Sequence, residues 1–202
     1  REPISVPNEI LIYKLCKTMG KNHKFFLSGE GADEIFFGYD KIFRWAYEKD
    51  VKKINNDFIF EFLKKYSYSN NEFNNQRIFS FCEKLLNEAG SYLNFVEDFF
   101  ISFHLPGLLA RADRASMAAG KEARVPFCSQ TILNYMYRRP FEIKINKNDS
   151  KLPLRSFIKK TKISSILSQP KIGFKTILPG LSREEMYNNI NREFLKNYGK
   201  SK

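Results

Sequence analysis

Cysteine and histidine are scarce in this chain, with three cysteines and two histidines among 202 residues. Cys16, Cys82 and Cys128 are widely spaced and odd in number, which excludes a disulfide scaffold and fits a reducing compartment. With no glutaminase context around them, all three read as buried small hydrophobes. No CxxC or HExxH spacing occurs, so a structural zinc site is excluded too. His23 and His104 belong to no ligand pattern and read as packing or surface residues. Apolar runs are only a few residues long, far short of the roughly 20 that span a bilayer. The chain opens Arg1-Glu2-Pro3, with neither an initiator methionine nor a signal-peptide pattern. A cytoplasmic protein whose upstream part is not in this sequence is therefore expected.

What is present is aromatic and basic. Twenty Phe, ten Tyr and 43% apolar residues exclude wholesale disorder, and a chain of this length buries roughly 70% of its unfolded surface. The net charge of +12 is unevenly placed. From Arg138 to Lys202 there are 16 basic and 5 acidic residues, whereas the preceding part is nearly balanced. Such a segment suits nucleic acid, a membrane surface, a polyanion such as ATP, or simply a solvated face.

Apolar spacing predicts a helix from Pro7 to Met19, stopped by Gly20. Phe25-Phe26-Leu27, cut off at Ser28-Gly29, reads as a parallel strand of the kind a complete sheet buries. If its sheet partners lie elsewhere, its apolar surface should stand exposed. Further helices are predicted over Asp33–Tyr47, Val51–Lys65, Gln76–Ala89, Phe95–His104, Pro106–Gly120, Ser129–Tyr137, Pro153–Lys160 and Ser182–Tyr198. The Asn-rich stretch Tyr68–Gln76 reads as a loop. The stripe Phe36, Phe37, Tyr39, Phe43 and Trp45 reads as core. Many helices and one clear strand are odd for a complete α/β domain, and point to the later part of a larger fold.

Three blocks carry chemistry. Ser28-Gly29-Glu30-Gly31-Ala32-Asp33-Glu34 follows the strand directly. Its glycines let the backbone turn tightly and bring N–H groups to a ligand, and a helix start there favours phosphate. Asp33 is placed as a Mg²⁺ ligand beside pyrophosphate, and Glu30 as a proton acceptor or donor. The same heptapeptide also suits a plain glycine turn. The second block runs from Leu109 to Phe127 (LARADRASMAAGKEARVPF). It sets Arg111 and Arg114 on one helix face among small residues, equally the pattern of a tightly packed helix. The third is basic: Lys151, Arg155 and Gln169-Pro170-Lys171-Ile172-Gly173-Phe174-Lys175. A lysine held beside Pro and Gly suits a phosphate contact or a solvated loop.

In this order the blocks resemble the synthetase domain of the glutamine-hydrolysing asparagine synthetases, over essentially the whole chain from Glu2 to about Leu178. The resemblance implies an α/β, ATP-pyrophosphatase-type (adenine nucleotide α-hydrolase-like) fold. Residues 1–202 would form its mostly helical C-terminal portion, with one or few strands. It implies an AMP-forming ligase in which the aspartate carboxylate attacks the α-phosphate of ATP and ammonia then attacks the acyl-adenylate. ATP and Mg²⁺ are the implied cofactors. Ser28, Gly29, Gly31, Asp33 and Arg155 would bind ATP, Asp33 would hold the metal, and Glu30 and Lys171 would be catalytic. Arg111, Asp113, Arg114, Glu122 and Arg124 fall mainly to scaffold. The implied partners are aspartate or another carboxylate, ammonia or glutamine, a glutaminase domain of the full-length chain, and a homodimer, with neither nucleic acid nor membrane.

Two stretches, three residues in all, depart from the family. Phe37 stands where it usually has glycine, and Cys128-Ser129 where it commonly has Leu-Asp. The Ser-Gly-Gly-x-Asp-Ser pyrophosphate loop and the glutaminase domain do not occur in this sequence, so the stretch by itself is expected neither to hydrolyse glutamine nor to complete adenylation. Competing readings are a homologue amidating a sugar uronate, a non-catalytic relative, and a basic nucleic-acid-binding module. A β-lactam synthetase fits less well, because Glu30 stands where those enzymes have tyrosine.

Overall fold

The structure is a computed structural model that describes residues 8–49, 55, 57–66 and 76–169. In chain order the elements are α1 (Asn8–Thr18), β1 (Phe25–Leu27), α2 (Ala32–Ile35), α3 (Asp40–Glu48), α4 (Asp57–Tyr66), α5 (Gln76–Ala89) and α6 (Tyr92–Phe99). A π-helical turn, Phe100–His104, joins α6 to α7 (Leu105–Ala118). Then come β2 (Glu122–Arg124), a 3₁₀ turn, α8 (Gln130–Met136), α9 (Phe141–Lys144) and α10 (Leu152–Lys159). The predicted helix Ser182–Tyr198, the motif around Lys171 and the start of Val51–Lys65 lie outside the described residues. The chain divides into two compact units. One holds residues up to Ser28, Leu108–Arg124 and those from Ser168 on; the other holds Gly29–Gly107 and Val125–Leu167.

In the first unit β1 pairs in parallel with β2, Phe26 opposite Ala123. Glu122 N–H donates to the Lys24 carbonyl at 2.9 Å and Ser28 N–H to that of Arg124 at 2.8 Å. The strand has the predicted residues and the expected exposed apolar surface: Phe25 is 48% and Leu27 71% exposed, and the Arg124 guanidinium lies over the Phe25 ring. β2 carries no strand signal in its own Glu-Ala-Arg sequence, because a parallel partner, not local pattern, makes it a strand. Lys121, nearly buried, donates its ammonium to the Gly20 carbonyl at 3.0 Å and the His23 carbonyl at 2.6 Å, fixing the turn between α1 and β1. Buried Glu9 on α1 lies 3.9 Å from the Arg114 guanidinium on α7. Of the small residues Ser116, Ala118, Ala119 and Gly120, only Ser116 is buried, and the buried face of that helix is completed by Ala112 and Ala115 instead.

The second unit is helical around an aromatic core. On α4, Phe58, Ile59, Phe62 and Leu63 repeat at helical spacing and are all buried. They meet Cys82 and Leu86 of α5, and Phe95, Val96 and Phe99 of α6. Burial pushes the Cys82 thiol up to about 12, so it packs as a small hydrophobe. The rings stack (Phe58 on Tyr92, 3.9 Å) or meet edge to face (Phe62 on Phe95, 5.0 Å), each pair adding about 0.5–1.5 kcal/mol beyond its buried area. The helix predicted over Asp33–Tyr47 is broken in two. Phe37 takes φ +61°, and the Gly38 N–H donates back to the Asp33 carbonyl at 2.7 Å, the six-to-one bond of a left-handed helix terminus. Glycine usually fills the position Phe37 holds. A left-handed non-glycine residue costs about 1–2 kcal/mol, and burying a Phe ring returns about as much or more. Phe37 is 1% exposed and stacked on Phe43 at 3.8 Å.

A charge cluster sits against this core. Lys144 of α9 and Glu97 of α6 are buried and paired, and the Lys144 ammonium lies 4.1 Å from the Phe37 ring centre. Arg138, also left-handed, aims its backbone N–H at Glu97 and its guanidinium at Asp98, 2.6 Å away. Burial pushes the Glu97 carboxyl up and the Lys144 ammonium down, and each charge opposes the other's shift.

Lys144→Met alone leaves the buried Glu97 carboxylate without its ammonium partner and should cost about 3–5 kcal/mol in denaturant unfolding. Adding Glu97→Gln, which keeps an acceptor for the Arg138 N–H, should return most of that loss. Phe37→Gly relieves the backbone but empties a packed site. A net loss of about 2–4 kcal/mol is expected, measured by the same unfolding curves.

Candidate active site

The loop after β1 is shaped by contacts that glycine alone permits. Gly31, at φ +88°, opens α2, and its carbonyl accepts the Ile35 N–H at 3.0 Å. A Cβ at Gly31 would collide with the Cys128 sulfur. That sulfur lies 3.6 Å from the Glu30 carbonyl, with the thiol as donor. Burial raises the Cys128 thiol pKa, and the nearby Glu34 and Glu30 charges raise it further, which disfavours the thiolate and suits a packing role. Cys128, part of the Cys128-Ser129 departure from the family, thus fills the space that Gly31 leaves.

Asp33, the second residue of α2, pairs its Oδ1 with the Lys151 ammonium at 2.8 Å. Gly38 makes this approach possible, because a Cβ there would collide with both the Asp33 carboxylate and the Lys151 side chain. Lys151 is itself left-handed (φ +57°) at the entry to α10, with Pro153 in the first turn as its sequence predicts. The turn before it is tied down. Asn146 Oδ1 accepts the N–H groups of Asn148 and Asp149, and the Arg44 guanidinium reaches the Asn146 and Asp149 carbonyls. Arg155 completes this support, donating Nε–H to the Ser150 carbonyl at 3.0 Å with Nη1 3.4 Å from Asp149.

The second unit therefore gathers Gly29, Glu30, Gly31, Asp33 and Lys151 around one loop, with Arg155 turned toward the segment that presents Lys151. Ser28 directly follows β1 in the first unit, and Lys171 lies outside the described residues. The expected long helix behind the loop is a single turn, too short to contribute an end charge. Glu34, next to Asp33, is buried. Burial raises its carboxyl pKa, which the Tyr39 hydroxyl bond partly offsets. The Tyr39 hydroxyl is held well above its ordinary value by burial and the Glu34 charge. Sequence reading missed this pair and its neighbour His104, since Glu34 looks like an ordinary first-turn acid and His104 stands alone in the chain.

A family model described as asparagine synthase matches residues 1–201. Among curated proteins, asparagine synthetase (glutamine-hydrolyzing) 3 of Bacillus subtilis (strain 168) is 29% identical over 171 residues, 77% of this chain and 27% of that protein. Asparagine synthetase (glutamine-hydrolyzing) 1 of the same organism is 24% identical over 226 residues, 92% of this chain and 36% of that protein. The chain thus spans about a quarter to a third of the length of these relatives. No solved structure matches it.

Gly31→Ala meets both a left-handed backbone and the Cys128 sulfur, and should destabilise the chain by about 2–3 kcal/mol. In a Cys128→Ala background the steric part disappears and about 1–2 kcal/mol of backbone strain should remain, as a double-mutant cycle by thermal unfolding would show.

Proposed function

Since this chain belongs to the asparagine synthase family, we propose that the protein carrying it is an ATP-dependent ligase that converts aspartate to asparagine. The aspartate side-chain carboxylate attacks the α-phosphate of ATP and pyrophosphate leaves. Ammonia, released from glutamine in a glutaminase domain of the full-length chain, then attacks the acyl-adenylate; the amide forms, AMP leaves, and a proton is lost from nitrogen. The protein acts on small molecules in the cytoplasm. The excess positive charge from Arg138 onward has the triphosphate as its simplest partner, although only a few of those residues can reach it.

The observation that carries this reading is the Asp33–Lys151 pair beside the Glu30 loop. Departing pyrophosphate concentrates negative charge, and fixed cations that need no reorganisation lower the barrier to its departure. Lys151 is one such cation, held by a braced turn, and Lys171 is a second. Glu30 is the carboxylate that takes the proton from the attacking ammonia. Ser28, Gly29 and Gly31 offer backbone toward ATP, while Arg155 supports the segment that presents Lys151 and adds positive charge near the phosphates.

The family implies Mg²⁺. Among the described residues no three His, Cys, Asp or Glu side chains come together to hold a metal. A single carboxylate still fits this ion, because Mg²⁺ beside a nucleotide is commonly held by one or two carboxylates plus phosphate oxygens and water. Asp33 is the residue that would hold it, supplying charge neutralisation at the pyrophosphate. Phe37 keeps its ring buried in the core, and the Cys128 sulfur occupies the space over Gly31.

Full-length protein should release AMP and pyrophosphate only when aspartate and a nitrogen source are both present, and Glu30→Ala should reduce that release at least about 100-fold. Product analysis by ion-exchange chromatography is the check. Release of ADP and phosphate would refute adenylation, and a second carboxylate outperforming aspartate would reassign the acceptor.

A further inference from the structure

Behind the loop lies a polar chain that the proposed chemistry does not use. The Glu34 carboxylate accepts the Tyr39 hydroxyl at 2.8 Å and stands 3.5 Å from His104 Nε2. The Tyr39 oxygen is 3.2 Å from the same Nε2, and on the far side of the imidazole the Tyr66 hydroxyl is 2.7 Å from Nδ1. Both tyrosine rings meet the imidazole edge to face, at 84° and 86°. Tyr39 has one hydroxyl proton and gives it to Glu34, so its oxygen is left to accept from Nε2–H. In the neutral ring the proton then sits on Nε2, and Nδ1 accepts from Tyr66.

The backbone is arranged to produce this contact. His104 closes the π-helical turn, whose extra residue shifts the side-chain phase between α6 and α7 and sets the imidazole against α2. Such turns recur at functional sites. An apolar residue at position 104 would pack in this aromatic surround without needing partners, whereas four linked polar groups are tolerable only when each is satisfied. The element they hold is α2, four residues long, which cannot keep its own geometry and which carries Asp33 beside Glu34.

We propose that His104 is a positioning residue for the loop, acting through Tyr39 and Glu34 to fix the orientation of α2 and with it the Asp33 carboxylate, while Tyr66 holds the imidazole from behind. This deepens the ligase reading and rests on it for its effect on rate.

The test uses full-length protein with glycine amides labelled with ¹⁵N, in wild type, His104→Leu, His104→Gln and Tyr66→Phe. His104→Gln keeps an N–H where Nε2–H stands. His104→Leu should shift the Gly31 and Gly38 amide resonances and lower kcat for AMP formation about tenfold or more, with KM for ATP changed less than about twofold. His104→Gln should restore both to near wild type. Tyr66→Phe, which removes one hydroxyl and no packing, should give a smaller shift in the same direction. Unmoved glycine amides in His104→Leu and Tyr66→Phe would overturn the inference, as would a Gln variant no better than Leu. If His104→Leu fails to fold, Tyr66→Phe against wild type decides alone. A wild-type protein that forms no AMP would refute the ligase reading instead, and the amide shifts would still decide whether His104 positions the loop.

Discussion

The reversal at Phe37-Gly38 is the constraint on which the second unit turns. It ends α2 after one turn, and the left-handed backbone sends the Phe37 ring into the core, where it stacks on Phe43 beneath the Lys144 ammonium. The next residue has no side chain, and that gap is where the Asp33 carboxylate and the Lys151 side chain meet. One tight turn therefore couples the packing of the aromatic core to the geometry of the loop. Its strain is of the order of 1–2 kcal/mol, small enough for one well-buried ring to offset.

The core that accepts this ring is not purely apolar. Lys144, Glu97, Arg138 and Asp98 form a charge-balanced group at its edge, and Glu34 with Tyr39, His104 and Tyr66 forms a second polar chain among the aromatics. Buried charges stabilise little in net terms, since desolvation consumes most of the Coulomb attraction; removing one partner is what costs. Their contribution is directional. Aromatic side chains pack tolerably in several arrangements, while an ion pair or a hydrogen-bonded imidazole fixes one. The first cluster sets α9 and the Arg138 turn against α6, and the second sets α2 against the π-helical turn.

Much was legible in advance. Phe25–Leu27 was readable as a parallel strand because three bulky residues end at Ser28-Gly29, and Gln76–Ala89 because its apolar residues recur at helical spacing. The family was readable from the order of SGEGADE, ARADRASMAAGKEARVPF and KLPLR. The break at Phe37 was not, since phenylalanine carries no left-handed signal and the surrounding pattern is helical. Glu122–Arg124 gave no strand signal, because a lone parallel partner supplies its hydrogen bonds. The bonds of Arg155 to the turn before Lys151 were not legible either, because they depend on how that turn folds back.

The sequence alone determined the family and the residue types of the loop: glycines where it must turn, an acid and a glutamate on it, and lysines downstream. Those are local properties, set by residue type and spacing. Only the tertiary structure decided which lysine meets which acid, that Cys128 fills the space over Gly31, and that a solitary histidine at a π-helical turn stands behind α2. Each of these joins residues far apart in the chain. Hydrogen bonds and close packing act over a few ångströms of space, and separation along a sequence carries no record of that distance until the chain is folded.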